Sequence, residues 1–206
     1  MKPRSTMLLA ILACTAGCLG LKVPAPEARE YRLDYPPPAI SAQPLPVVVR
    51  IAPFGTAAAY DRAAIVYRAD AYATGAHFYE RWVAHPAGMI ADLLARDLAS
   101  AGIYQAVQQG ASTLPSDYDL NGRIEEIEER VTPNGCLAHL RLRVLLTHAR
   151  ARDSSGVVFQ KTYEADEACA GNEAEQFVAA MSIALQTISL SLQRDVHDAI
   201  LQDRLP

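Results

Sequence analysis

Positive charge is scarce in this chain: 19 lysines and arginines face 23 acidic residues, a formal charge of −4. That balance excludes the basic face a nucleic-acid binder needs. Neither Gly-x-x-x-x-Gly-Lys nor Gly-x-Gly-x-x-Gly occurs, so no phosphate-cradling loop is encoded. No serine stands in a nucleophile-elbow context. The histidines, His77, His85, His139, His148 and His197, are scattered without metal-ligand spacing. Beyond the first residues no segment stays apolar for the roughly 18 residues that argue a spanning helix. Neither catalytic residue nor cofactor nor metal is expected, and the chain reads as a non-enzyme.

Cysteine is also sparse, and each of the four carries information. Lys2 and Arg4 precede an apolar run, Met7 to Ala16, too short to cross a bilayer but of the length and flanks of a signal-peptide core. Cys14 lies inside that run. Thr15-Ala16-Gly17-Cys18 resembles the lipobox of bacterial lipoproteins, with Thr15 where Leu is usual. The resemblance implies cleavage before Cys18 and acyl chains on it, and several chains make a durable anchor where one is marginal. Leu19, rather than Asp, follows, which favours the outer membrane. Residues 1–17 are thus expected to be a leader and residues 18–29, with Pro24 and Pro26, a lipidated tether of roughly 35 Å if extended. Residues 30–206 are expected to form one domain.

Cys136 and Cys169 remain in the mature body, in a compartment that permits disulfides. Leu137 to Arg150 and Val157 to Glu164 read as hairpin arms around Asp153-Ser154-Ser155-Gly156, which brings the two cysteines near register at the open end. A bridge is one expectation and two buried thiols the other. Zinc is disfavoured, since two cysteines without paired histidines fall short of four ligands.

Along the domain, Tyr31-Arg32-Leu33 is a candidate strand. Pro36-Pro37-Pro38, Pro44 and Pro46 keep the chain irregular until Val47–Ile51, a β-branched run. Ile65–Tyr67 and His77–Tyr79 flank a loose loop as a hairpin. Pro86 opens a helix that Gly102 closes, and Ile103–Val107 is a further candidate strand. Leu120, Gly122 and Ile124, then Ala138, Leu140, Leu142, Val144 and Leu146, alternate with polar residues, as in an antiparallel sheet with one wet face. Glu125, Glu126, Glu128 and Glu129, with Arg123 and Arg130 beside them, read as a solvated strand end. His139 reads as a solvated side chain. Phe177, Met181, Ala184, Leu185, Ile188, Leu192, Val196 and Ile200 form one apolar helical stripe beginning near Asn172. The fold expected is α+β: one domain, a mixed and mostly antiparallel sheet packed against two long helices.

The span from Ile65 to Trp82 concentrates aromatics, arginines and the chain's one tryptophan. Such mixtures favour interface hot spots, so Ile65, Tyr67, Arg68, Phe78, Arg81 and Trp82 are candidate partner contacts. The alternative is that Trp82 packs beneath the following helix.

Tyr31-Arg32-Leu33, Val49-x-Ile51-x-Pro53, Tyr60-Asp61-Arg62, Ile65-Val66-Tyr67-Arg68, and Trp82 ahead of Leu94 and Leu98 occur in that order. Together they resemble the ABC-type transport auxiliary lipoproteins, the PqiC-like intermembrane transport group. The resemblance implies a periplasmic accessory at the outer membrane, working with a mammalian-cell-entry-domain substrate-binding protein, an ABC permease and an ATPase in lipid traffic. A homo-oligomeric ring is also implied. An assembly lipoprotein of another envelope machine, a small-ligand carrier and an envelope hydrolase are the rival readings.

Overall fold

A computed structural model of the chain describes residues 27–205 except residues 111, 113, 134 and 152. The leader, Cys18 and most of the tether lie outside the described residues. In chain order the elements are strands β1 (Arg29–Tyr31), β2 (Leu45–Ile51), β3 (Gly55–Thr56), β4 (Ala64–Arg68) and β5 (Thr74–Trp82), then helix α1 (Pro86–Ser100). Strands β6 (Tyr104–Gln109), β7 (Tyr118–Thr132), β8 (Gly135–His148) and β9 (Val157–Ala168) follow, and helix α2 (Ala174–Asp203) closes the chain.

The alternation in β7 and β8 makes them the spine of a nine-stranded sheet. β8 runs antiparallel along the whole of β7, from Tyr118 opposite His148 to Thr132 opposite Gly135, and β9 continues outward from β8. The other edge of β7 is shared in succession by β2, β3 and β4, all parallel to it. β6 extends the sheet beyond β2, and β5 then β1 extend it beyond β4. The long antiparallel pairings dominate, with short parallel ones filling one side, as the alternation suggests.

One face of this sheet is the core. Leu120, Ile124, Leu140, Leu142, Val144 and Leu146 are fully buried, as are Met181, Leu185, Leu192, Val196 and Ile200 from the α2 stripe. Burying each such side chain stabilises by about 1.5–3 kcal/mol relative to exposure. Glu173 and Gln176 form a capping box at the start of α2, one residue beyond the expected Asn172. Gly102, at φ 65°, lets the chain turn away after α1. Between the helices, the buried Asp97 accepts hydrogen bonds from Ser189 Oγ (2.6 Å) and from Tyr35 Oη (2.7 Å).

The proline-rich segment is irregular, as expected, but it is not idle. It runs along α2 as a strap: Ser182 Oγ accepts from Asp34 N, Gln186 donates to the Pro36 carbonyl, and His197 Nε2 lies 2.9 Å from the Gln43 carbonyl. β2 then begins at Leu45 and takes in Pro46 where its register shifts between Leu45 and Val48. A strand tolerates a missing N–H at such an irregularity. Among the described residues no helix is long and apolar enough to cross a membrane.

Candidate functional site

The hairpin β4–β5 gathers the six residues singled out for partner contact, and the structure divides them. Ile65 and Trp82 are 1% and 2% exposed, with Trp82 6.0 Å from Phe177 of α2. They belong to the core and offer a partner no surface, because an inward-facing aromatic at the strand's end packs under the helix layer. Tyr67 and Arg68 are half-buried, whereas Phe78 and Arg81 are exposed. A Cβ on Gly75 would collide with the Tyr67 ring, so glycine there allows Tyr67 to lie across the partner strand. The same ring sits 5.1 Å from His77.

Arg68 leads into the feature that strand alternation hid. β7 carries an irregularity between Ile124 and Glu126, then continues through the acidic run to Thr132. Glu128 therefore turns to the face opposite the helices, where the segment between β3 and β4 covers it, and it has no exposure. The expectation of a solvated strand end is corrected here. Tyr60 Oη donates to Glu128 Oε2 at 2.7 Å, and Arg130 Nε donates to Oε1 at 3.0 Å. Arg68 Nε makes an ion pair with Oε1 at 2.8 Å. Both guanidinium groups also reach Glu126, at 3.1 and 2.9 Å. Burial acts to raise the Glu128 carboxyl, but donation by Tyr60, Arg130 and Arg68 outweighs it and holds the group below its ordinary range. The Tyr60 hydroxyl is pushed up to about 12, by burial first and by Glu128 second.

His139 is likewise corrected: on the polar face of β8, it is fully buried. Its Nδ1 lies 2.7 Å from Asp166 across the sheet, and its Nε2 lies 3.4 Å from Glu126. His139, Glu164 and Asp166 offer ligand atoms within 4.8 Å of one another. Arg130 lies 3.9 Å from Asp166 and Arg141 4.0 Å from Glu164, so arginines already neutralise both carboxylates. The arrangement is an ion-pair network knitting β4, β7, β8 and β9 together. Nearby, His77 Nε2 lies 2.7 Å from Glu129, which raises the imidazole pKa.

Cys136 and Cys169 end facing strands, with Cα atoms 5.3 Å apart and their sulfurs joined. Cys169 N also donates to the Cys136 carbonyl at 2.9 Å. On the polar face an open indentation of about 300 Å³ is lined by Asn121, Arg123, Arg143 and Gln160 among others. The space between helices and sheet, where a ligand carrier would need its chamber, is occupied by the buried side chains named above.

The family model for the ABC-type transport auxiliary lipoprotein component matches residues 31–192, and the chain belongs to that family. Protein XCC0632 from Xanthomonas campestris superposes with a TM-score of 0.76 at 20% identity, covering 85% of this chain and 98% of that one. The hypothetical protein CT253 from Chlamydia trachomatis gives 0.54 at 12% identity, covering 76% and 98%. At these identities the two share the fold. No curated protein sequence matches the chain significantly.

Proposed function

We propose that this chain is a non-catalytic accessory lipoprotein of a lipid-transporting ABC system, held at the outer membrane by acylated Cys18 and facing the periplasm. Its task is to dock the periplasmic mammalian-cell-entry-domain protein, whose permease and ATPase complete the system, with several copies arranged as a ring. The family match over residues 31–192 carries this reading. The lipobox-like run before Cys18 supports the anchor. Of the six hairpin candidates, Arg81 is the exposed polar one, in register with Ala64 of β4 and Glu30 of β1. It is assigned to the protein contact.

Affinity capture from solubilised envelopes tests the docking. The tagged full chain should recover a mammalian-cell-entry-domain protein, and Arg81→Ala should reduce that recovery several-fold while folding normally. Recovery of envelope proteins of another machine, with no such partner, would contradict the proposal.

A further inference from the structure

The aromatic residues of the hairpin form a pattern that docking through Arg81 does not use. Between the pairs Val66–Ala76 and Ala64–Arg81, β5 inserts four residues where β4 has one, Ile65. Such a bulge re-aims side chains out of the sheet. Phe78 sits within it, 87% exposed, with Tyr79 edge-on at a ring separation of 4.9 Å. Tyr72 stands at the loop tip, fully exposed, where Asp70 accepts from the N–H groups of Tyr72 and Ala73, both at 2.8 Å. Val131 projects from the same end of the sheet, since Arg130 is in register with Arg68 at the end of β4. Among the described residues these three are the only aromatics that rank as exposed large hydrophobics. Single exposed apolar residues are ordinary; three exposed aromatics between positions 72 and 79 of one bulged hairpin are a concentration.

Strand direction says what these aromatics face. β1 pairs parallel with β5, Arg29 opposite Glu80, so the amino end of β1 points toward the hairpin tip. Cys18 precedes Arg29 by eleven residues, a span of at most about 40 Å. The segment that leads back to Cys18 therefore enters the sheet from the end that carries Tyr72, Phe78, Tyr79 and Val131. Two ion pairs lie there, Arg29 with Glu80 at 3.0 Å and His77 with Glu129 at 2.7 Å.

We infer that the β4–β5 hairpin is a second, peripheral membrane foot: Phe78, Tyr79 and Tyr72 seat in the interfacial layer of the phospholipid surface that holds the anchor. Amphipathic aromatic rings favour that layer. Trp82 and Ile65, fixed in the core, make the hairpin rigid enough to orient the domain instead of trailing from its tether. Phe78 thus leaves the set of protein contacts and joins the lipid contacts. The inference rests on the acylated Cys18 proposed above.

The test uses the full lipidated chain on zwitterionic phosphatidylcholine vesicles whose acyl chains are brominated near the headgroup. Phe78→Trp reports the foot, and Val157→Trp, exposed at the opposite end of the sheet, reports the far side. The emission that Phe78→Trp adds over the parent chain's Trp82 should fall about two-fold relative to unbrominated vesicles, while Val157→Trp and the buried Trp82 should not change. Vesicle-bound protein with unquenched Phe78→Trp would overturn the foot and leave the anchor standing. If that unquenched emission shifted only when the mammalian-cell-entry partner was added, the hairpin would belong to protein. A chain that failed to float with the vesicles would overturn the anchor, and the foot with it.

Discussion

The two faces of the β7–β8–β9 meander are both buried in part, by opposite means. The helix side is closed by leucines, isoleucines and the α2 stripe. The other side is closed at one end by Tyr60, Arg68, Arg130, Glu126, Glu128 and His139. Apolar burial is tolerant of small changes in geometry, whereas a buried ion cluster stabilises only while every partner is present. The first face therefore defines the fold, and the second fixes how the hairpin is carried on it.

Truncating the apolar face should cost most. Leu142→Ala removes a fully buried side chain beneath α2 and should lower stability by about 4 kcal/mol. Denaturant titration measures it. Reducing the link between Cys136 and Cys169 comes next, about 3.7 kcal/mol for a sequence separation of 33. Intact mass without reductant, two hydrogens lighter than the dithiol, should confirm the bond in the purified protein.

Glu128→Gln attacks the charged face and should cost about 2–3 kcal/mol, because Arg68 then keeps only Glu126, and Arg130 only Glu126 and the more distant Asp166, as anionic partners. Glu125→Gln, whose partners Arg141 and Arg143 are partly exposed, should stay within about 0.5 kcal/mol. Equal effects from the two would mean that burial of the Glu128 cluster sets it apart in no way from an exposed pair.

The smallest effects are in pH. The Glu128 pKa is lower in the folded state, so its contribution is present above the unfolded carboxylate value and is lost as pH falls through the folded one. The His77 pKa is raised, so its contribution is complete below the unfolded imidazole value and is lost as pH rises through the folded one. Thermal melts across pH should lose the acid limb in Glu128→Gln and the limb near neutrality in His77→Asn.

The apolar face was legible because its signals are periodic. Leu140, Leu142, Val144 and Leu146 alternate without interruption, and Phe177 to Ile200 keep helical spacing. Pro86 and Gly102 bracket α1 closely. The charged face was not legible, since the irregularity after Ile124 places Glu125 and Glu126 out of simple alternation and disguises Glu128 as a strand end. The return of an apolar residue at Ile127 is the trace of the continuing strand. His139 looked solvated because its cover comes from Arg130, Glu126 and Asp166, on two other strands. β3, two residues long, carries too little pattern to be seen. Trp82 and Ile65 were correctly prominent but for packing, and composition alone does not separate an anchor of the core from an anchor of an interface.

The proposed function is that of a domain that acts through where it is held. The most direct measurement is the mass of the N-terminal peptide from membrane-extracted protein. The expected result is a chain beginning at Cys18 with acyl groups on that residue. An unmodified N-terminus at another position would contradict the anchor and, with it, the membrane-facing role of the hairpin.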